Sequence, residues 1–263
     1  MRCFDEQLTG PVRRLAGTHR AAALAATWRR FAPIGERLGI SRVADLTGLD
    51  AIGVPVYAAV RPMSKSLSTA QGKGTTALAA KVSALMESIE CWHAEERAPD
   101  RVATARALGP RAIAIAKALP RAKLVPLDRA LPWVRGWPLG GARPVWVPWE
   151  AVTLDCVHAG ARAPIFDVSS NGLASGNTLA EAVMHGLCEV IERDAEATWR
   201  ATGADRRVVL ETIGDRRVRA LIERIRVTGC RLWLWDLTSD VGVPVFGCGI
   251  MHDPASPSWR AVG

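Results

Sequence analysis

Hydrophobic positions recur at helical spacing in five stretches of the chain. Residues 18–31, THRAAALAATWRRF, predict a helix capped by Thr18 and filled by alanine and leucine. Residues 76–96 place Val82, Leu85, Ile89 and Trp92 on one apolar face. Residues 110–119 predict a short helix, and residues 214–228 an amphipathic one through Val218, Leu221, Ile222 and Ile225. A further helix precedes it and ends near Arg200. Runs of β-branched, aromatic and other apolar residues predict strands at 41–48, 54–61, 231–237 and 243–250. Residues 61–74 read as a polar loop, and 164–177 as a strand running into a loop of small residues. Residues 131–149, rich in Pro, Gly and Trp, read as short strands and turns joining two halves, with the tryptophans packing between them. The pattern predicts an α/β (α+β mixed) fold rather than a helical bundle.

Two of the helices are copies of one another. Residues 74–90, GTTALAAKVSALMESIE, align without a gap onto residues 176–192, GNTLAEAVMHGLCEVIE, at an offset of 102. Gly74/Gly176, Thr76/Thr178, Ala80/Ala182, Leu85/Leu187, Glu87/Glu189, Ile89/Ile191 and Glu90/Glu192 are identical pairs. Each copy ends in Glu-x-x-Glu, which puts two carboxylates on one helix face, where like charges are unfavourable unless something offsets them. The stripes are Ser83, Glu87, Glu90, Ala94 and His185, Glu189, Glu192, Glu196. Ala80, Ala84 and Gly186 beside them are small enough for another backbone or a ligand to approach. A single helical glutamate is ordinarily a solvated residue; duplication of both, with the preceding Gly-x-Thr, points instead to a shared task. Four carboxylates suit a hard cation such as Mg²⁺ and the phosphates it carries. The lead-in loops, AQGKGTT and SSNGLASGNT, supply glycines, hydroxyls and helix N-terminal amides suited to anions.

Composition narrows the chemistry. The chain has 263 residues, 49% of them hydrophobic and 23% charged, as expected of a folded, soluble, cytoplasmic protein without membrane spans or a secretory signal. A net charge of +8 favours acidic partners, but the basic residues are dispersed, without the stripe that nucleic-acid binding needs. Lys65, Lys73 and Lys81 gather around the first acidic helix. The six cysteines lack metal or redox spacing, so packed thiols are expected, Cys91 and Cys188 included. QGKGT is not a Walker A loop, because Leu67 occupies the first glycine position. Glu90-x-x-His93 fits a di-iron unit, but the second copy ends in Ala195 instead of histidine.

The segments SLSTAQGKGTTALAAKVSALMESIECWHAE and SSNGLASGNTLAEAVMHGLCEVIERDAEATW resemble the YcaO superfamily of ATP-dependent enzymes that modify peptide backbones. Upstream, GISRVADLTGLDAIGVPVYAAVRP resembles the branch working with a TfuA-type partner protein. The resemblance runs from about residue 18 to the end of the chain. It implies a YcaO-like fold with a pseudo-duplicated strand–loop–helix element around an ATP site. Residues 1–60 contribute to the nucleotide site in this reading, and 61–263 form the YcaO domain. Glu87, Glu90, Glu189 and Glu192 become Mg²⁺ ligands, Glu90 also lying near the nucleotide. A basic and a hydroxyl residue seven apart, against the phosphates, map onto Arg20 and Thr27, with Arg in place of the family's Lys. Lys73, Ser83, Asn171, His185 and Arg193 are further candidates for phosphate or ribose contacts.

The implied reaction is phosphorylation of a backbone amide oxygen in a ribosomally made peptide or protein. Attack by a neighbouring side chain then gives an azoline, and attack by a sulfur donor gives a thioamide. The implied partners are a precursor peptide and a TfuA-like protein, with homodimerisation left open. Alternatives are a non-catalytic scaffold for such a peptide, and an accessory factor for an enzyme such as a methylthiotransferase. Many relatives carry Arg where Cys91 stands, and members of the family continue beyond a point matching Gly263 into a segment that helps complete the active site. Truncation with impaired catalysis, and an exposed strand edge, are therefore expected.

Overall fold

In the computed structural model, residues 2–3, 6–8, 13–15, 18–121, 123–141, 143–159 and 163–252 are described. The chain divides into two compact units, 1–46 with 55–186 and 47–54 with 187–263.

The first unit begins with two short antiparallel hairpins, β1 (Arg2–Cys3) with β2 (Glu6–Gln7) and β3 (Arg13–Leu15) with β4 (Thr18–Arg20). Helix α1 (Leu24–Arg37) follows. The helix anticipated from residue 18 therefore starts six residues later, because 18–20 are drawn into a hairpin; Ala23 occupies the N-cap, with no side-chain cap. Pairing between sequence neighbours competes with helix propensity here, and the short hairpin wins.

Strands β5 (Arg42–Asp45), β6 (Val56–Val60) and β7 (Thr69–Lys73) make an antiparallel sheet in the order β5-β6-β7. The 61–74 stretch is thus only partly loop. Its second half is a strand whose Ala70 and Gly72 are buried while Thr69, Gln71 and Lys73 are exposed, an alternation of period two. Polar residues on the outward face of an antiparallel strand mimic a loop in one-dimensional reading. Helix α2 (Ala77–Glu95) packs on this sheet and against α1. Ile40, Tyr57, Ala59, Ala80, Ala84, Leu85 and Ile89 form the core between them. Burying a side chain such as Leu85 stabilises the fold by about 1.5–3 kcal/mol.

Small residues set the spacing of these layers. A Cβ on Gly72 would fall within 3.0 Å of Ala84 N, Ala80 O and Ala84 Cα. Strand β7 therefore lies backbone to backbone on α2.

A buried ion pair fixes the far end of α2. Arg61, at the end of β6, donates two hydrogen bonds to Glu95, Nη1 to Oε2 at 2.7 Å and Nη2 to Oε1 at 2.8 Å. Glu95 also accepts the amides of Lys65 and Ser66, each at 3.1 Å, and the Ser66 hydroxyl. Both residues are almost fully buried, Arg61 at 4% exposure and Glu95 at 2%. The 61–68 connection is thereby wrapped around one carboxylate at the end of the helix that carries Glu87 and Glu90.

Strands β8 (Arg101–Thr104), β9 (Ala130–Gly136) and β10 (Val145–Pro148) form a second antiparallel sheet, order β10-β9-β8. Short helices α3 (Ala105–Leu108) and α4 (Pro110–Ala118) accompany it, and α5 (Cys156–Ala159) follows. Trp133 is completely buried in this sheet's core with Leu131, Ile165 and Phe166, its indole N–H donating to Ala103 O at 2.9 Å. The 131–149 stretch thus forms short strands as anticipated, and its Leu131 and Trp133 belong to a core of the first unit. The strand anticipated at 164–177 is reduced to one bridge, Arg121 with Phe166.

Helix α6 (Leu179–Thr202) contains the division between the units, which falls after Gly186. In the second unit, α7 (Arg216–Arg226) is capped by Asp215, and β11 (Cys230–Asp236) pairs antiparallel with β12 (Phe246–His252). Ala195, Leu237 and Val245 are the centre of its core. No described helix is long and apolar enough to cross a membrane.

Two outcomes follow from the packing of α2. Gly72→Ala is expected to destabilise the protein by about 3 kcal/mol through overpacking, while Gly48→Ala, whose Cβ meets nothing within 4 Å, leaves stability nearly unchanged; urea denaturation distinguishes them. Burial pushes the Glu95 carboxyl up, but hydrogen bonds from Arg61, Ser66 and Lys65 outweigh it and leave the group below the usual carboxylate value. Its contribution is therefore complete above the ordinary carboxylate pKa and is lost as pH falls through the depressed one. Glu95→Gln strands Arg61 and is expected to cost about 3–5 kcal/mol at pH 7, with the deficit shrinking in denaturation curves run at progressively lower pH.

Candidate functional site

The two copies enter their helices by the same local geometry. Thr76 Oγ1 accepts the amide of Ala79 at 3.2 Å, and Thr178 Oγ1 accepts the amide of Glu181 at 3.2 Å. Ala80 N donates to Thr76 O, and Ala182 N to Thr178 O, both at 3.1 Å. A Cβ on Gly74 would meet Ala79 Cβ at 2.6 Å and Ala80 N at 2.8 Å; one on Gly176 would meet Glu181 Cβ at 2.5 Å and Ala182 N at 2.6 Å. Every partner is displaced by the same 102 residues. The Gly-x-Thr repeat is thus a helix-entry device: threonine caps the first turn, and glycine lets the incoming chain lie against it. The second lead-in also touches its helix closely, because a Cβ on Gly186 would come to 2.5 Å from Gly172 O. Gly186 corresponds to Ala84, which lies against Gly72 in the first copy.

The carboxylates project from helices seated in this way. On α2, the stripe passes from solvent into the core: Ser83 and Glu87 are exposed, Glu90 is half-buried and Ala94 is buried. Glu90 Oε1 accepts the Ser175 hydroxyl at 2.6 Å. Burial pushes the Glu90 carboxyl above its usual value, and Ser175 and the nearby His185 pull against that rise. On α6, His185 and Glu192 are exposed and Glu189 is half-buried. Arg193 Nη2 lies 3.7 Å from Glu189 Oε1, and its Nη1 lies 4.0 Å from Glu196 Oε2. Arg200 closes the row at 2.6 Å from Glu196. Arginines one turn along thus offset the like charges of the second stripe. In the first stripe Cys91 holds the position equivalent to Arg193.

The remaining candidates are distributed differently. Thr27 is buried on α1, where its hydroxyl donates to Asn177 Oδ1 at 2.9 Å and approaches Ala23 O at 3.3 Å. Arg20, at the end of β4, is exposed and donates to His19 O. Lys73 is exposed at the end of β7, while Lys81 stands 5.2 Å from the centre of the Tyr57 ring. Asn171 is exposed, its amide donating to Ser169 Oγ at 3.0 Å. The Cys91 thiol is pushed up to about 11, first by burial and then by the charges of Glu87, Glu90 and Glu95, so it packs as a neutral group. Cys156, Cys188 and Cys248 are exposed, contrary to the expectation of packed thiols.

Sequence reasoning overlooked three polar residues of this region. Glu181 accepts the amide of Asn177 at 2.6 Å, its side-chain amide at 3.2 Å, and the amide of Ala21. Asn177 in turn accepts from Thr27. The start of α6 is therefore tied to the segment leading into α1. Thr178-x-x-Glu181 has the spacing of a capping box, which was the available signal. Ser175 had none: it is one hydroxyl in a loop of small residues.

Among the described residues no three His, Cys, Asp or Glu side chains are gathered as a metal cage. The donor chemistry nevertheless fits Mg²⁺, which takes oxygen ligands and commonly uses one or two carboxylates, completing its shell with phosphate oxygens and water. Glu90, oriented by the Ser175 hydroxyl, would be one such carboxylate.

The family model for YcaO cyclodehydratases, described as binding ATP and Mg²⁺, matches residues 71–263. An uncharacterised protein in the tfuA 3′ region of Rhizobium leguminosarum bv. trifolii is 37% identical across 92% of this chain, which spans 64% of that relative's length. Among solved structures, a heterocyclase in complex with substrate and cofactor has a TM-score of 0.73 at 23% identity, over 94% of this chain and 38% of its own. YcaO from Methanopyrus kandleri, bound with AMPPCP and Mg²⁺, has a TM-score of 0.62 at 24% identity, over 88% of this chain and 63% of its own. The two structures share the fold, and the family-model match over residues 71–263 together with the 37% identical relative places this chain in the YcaO family.

Proposed function

We propose that the chain carries out ATP- and Mg²⁺-dependent activation of a peptide backbone amide, with thioamide formation as the outcome. The duplicated Glu-x-x-Glu helices, entered through the same glycine–threonine geometry, are the observation that carries this reading. Glu87, Glu90, Glu189 and Glu192 are assigned as metal ligands. Lys73, Ser83, Asn171, His185 and Arg193 are assigned to phosphate or ribose, together with Arg20 and Thr27 from the segment 1–60. The cation supplies neutralisation of charge on the transferring phosphoryl group.

The chemistry asks the protein mainly to position its reactants. The amide oxygen takes the γ-phosphoryl group as ADP departs, which converts a poor leaving group into a good one. A sulfur nucleophile then adds to the amide carbon and phosphate leaves, giving the thioamide; a Cys, Ser or Thr side chain in its place gives the azoline. The name of the Rhizobium relative favours a TfuA-type partner and hence the thioamide. The substrate in this reading is a ribosomally made precursor peptide or protein in the cytoplasm.

The decisive experiment is calorimetric titration of Mg²⁺·ATP into the chain and into Glu87→Gln and Glu189→Gln. Binding by the wild type that falls at least about tenfold in each variant supports the reading, whereas unchanged binding in both rules out these ligands. Glu90 supplies a second test. A carboxyl with a raised pKa stabilises the fold fully only below its unfolded value, and that contribution is lost as pH rises through the folded one. Glu90→Gln keeps an acceptor for Ser175 and removes the charge. Calorimetry at pH 7 is expected to show Tm raised by about 2–4 °C, with the gain disappearing near pH 4, about the ordinary carboxylate pKa.

A further inference from the structure

We propose that Ser175 is a positioning residue for the metal site, holding Glu90 so that one carboxylate oxygen is turned to the cation; this rests on the assignment of Glu90 as a ligand. The Ser175 hydroxyl donates to Glu90 Oε1 at 2.6 Å, joining the lead-in of the second copy to the acidic helix of the first across 85 residues of sequence. A short hydroxyl–carboxylate bond of this kind restricts rotation of the carboxylate plane. The Ser175 backbone amide adds a second hydrogen bond to the same carboxylate, so its orientation is set by one residue. Outer partners of this kind orient metal-ligating carboxylates and contribute to affinity without touching the metal.

The serine is itself held by backbone packing. Gly176, the next residue, lies against Glu181 and Ala182, and Gly172 O lies against Gly186 on the same helix. Between them Leu173 N donates to Ser170 O at 2.9 Å. The loop is seated at both ends on α6, so the Oγ position is set before any ligand arrives. Glu90 is also the half-buried member of its pair, where an unoriented carboxylate is costly. Glu87, exposed one turn away, has less need of such support. In the first lead-in, Lys73 holds the position corresponding to Ser175, so the two copies place different chemistry there.

The test is Mn²⁺ titration followed by electron paramagnetic resonance, in the presence of ATP, on the whole chain. Ser175→Ala is expected to weaken Mn²⁺ binding about tenfold with Tm within ~2 °C of wild type. Ser175→Thr, which restores the hydroxyl, is expected to recover most of the affinity. Equal metal affinity in wild type and Ser175→Ala, with Glu90→Gln at least tenfold weaker, overturns the positioning role and leaves the ligand assignment standing. Unchanged affinity in Glu90→Gln overturns both. If Ser175→Ala does not fold, Ser175→Cys and Ser175→Thr decide: weak binding by folded Cys and strong binding by Thr support the role, and equal binding by the two overturns it.

Discussion

Contact of backbone on backbone, where each lead-in segment crosses its acidic helix, is the constraint on which the rest of the arrangement depends. Gly72 on α2, Gly186 under the Gly172 carbonyl, and Gly74 and Gly176 at the two helix entries leave no room for a side chain. Packed layers normally stand about 10 Å apart because side chains separate them. Removing those side chains lets the chain that precedes each helix turn directly into it. The carboxylates on that helix are then positioned by main chain, which moves less than a rotamer does.

The opposite end of α2 is fixed by charge. A buried Arg–Glu pair is a weak source of net stability, since desolvation of both ions offsets much of their attraction. What it provides here is location. Glu95 accepts five hydrogen bonds, three of them from Lys65 and Ser66, so the β6–β7 connection has little conformational choice. Lys65 extends the network through Glu96 at 2.8 Å and Asp155 at 3.4 Å. Between a glycine contact at one end and a saturated carboxylate at the other, the helix bearing Glu87 and Glu90 is held in both translation and rotation.

Features governed by local periodicity were legible from sequence. The extents of α2 and α7, the β11–β12 pair, and the use of Ala80, Ala84 and Gly186 as close-approach points all follow from residue type and spacing. Long-range pairing was not legible. Residues 18–20 lead into an alanine-rich run yet enter a hairpin, and β7 looks like loop because its inward face consists of alanine and glycine. The ligand candidates stood out because they were repeated. Their supports, Arg61, Glu95, Ser175 and Glu181, are each single occurrences whose partners lie 34, 85 or 160 residues away. A residue that acts through a distant partner leaves no periodic trace.

Divergence between the copies says more about mechanism than their identity does. Identity is confined to the entry glycine, the capping threonine, three apolar positions and the two glutamates. Differences fall on the residues around the carboxylates: Ala79 against Glu181, Lys73 against Ser175, Cys91 against Arg193. The second copy is surrounded by polar partners, with Glu181 bound to Asn177 and Ala21, and Arg193 beside Glu189. In the first, a neutral Cys91 thiol stands in place of the arginine, and burial raises the Glu90 carboxyl. Equivalent carboxylates in unequal dielectric surroundings differ in how strongly they hold a cation. Duplication of the scaffold thus preserves the helix entry while leaving the two pairs of glutamates in different chemical surroundings.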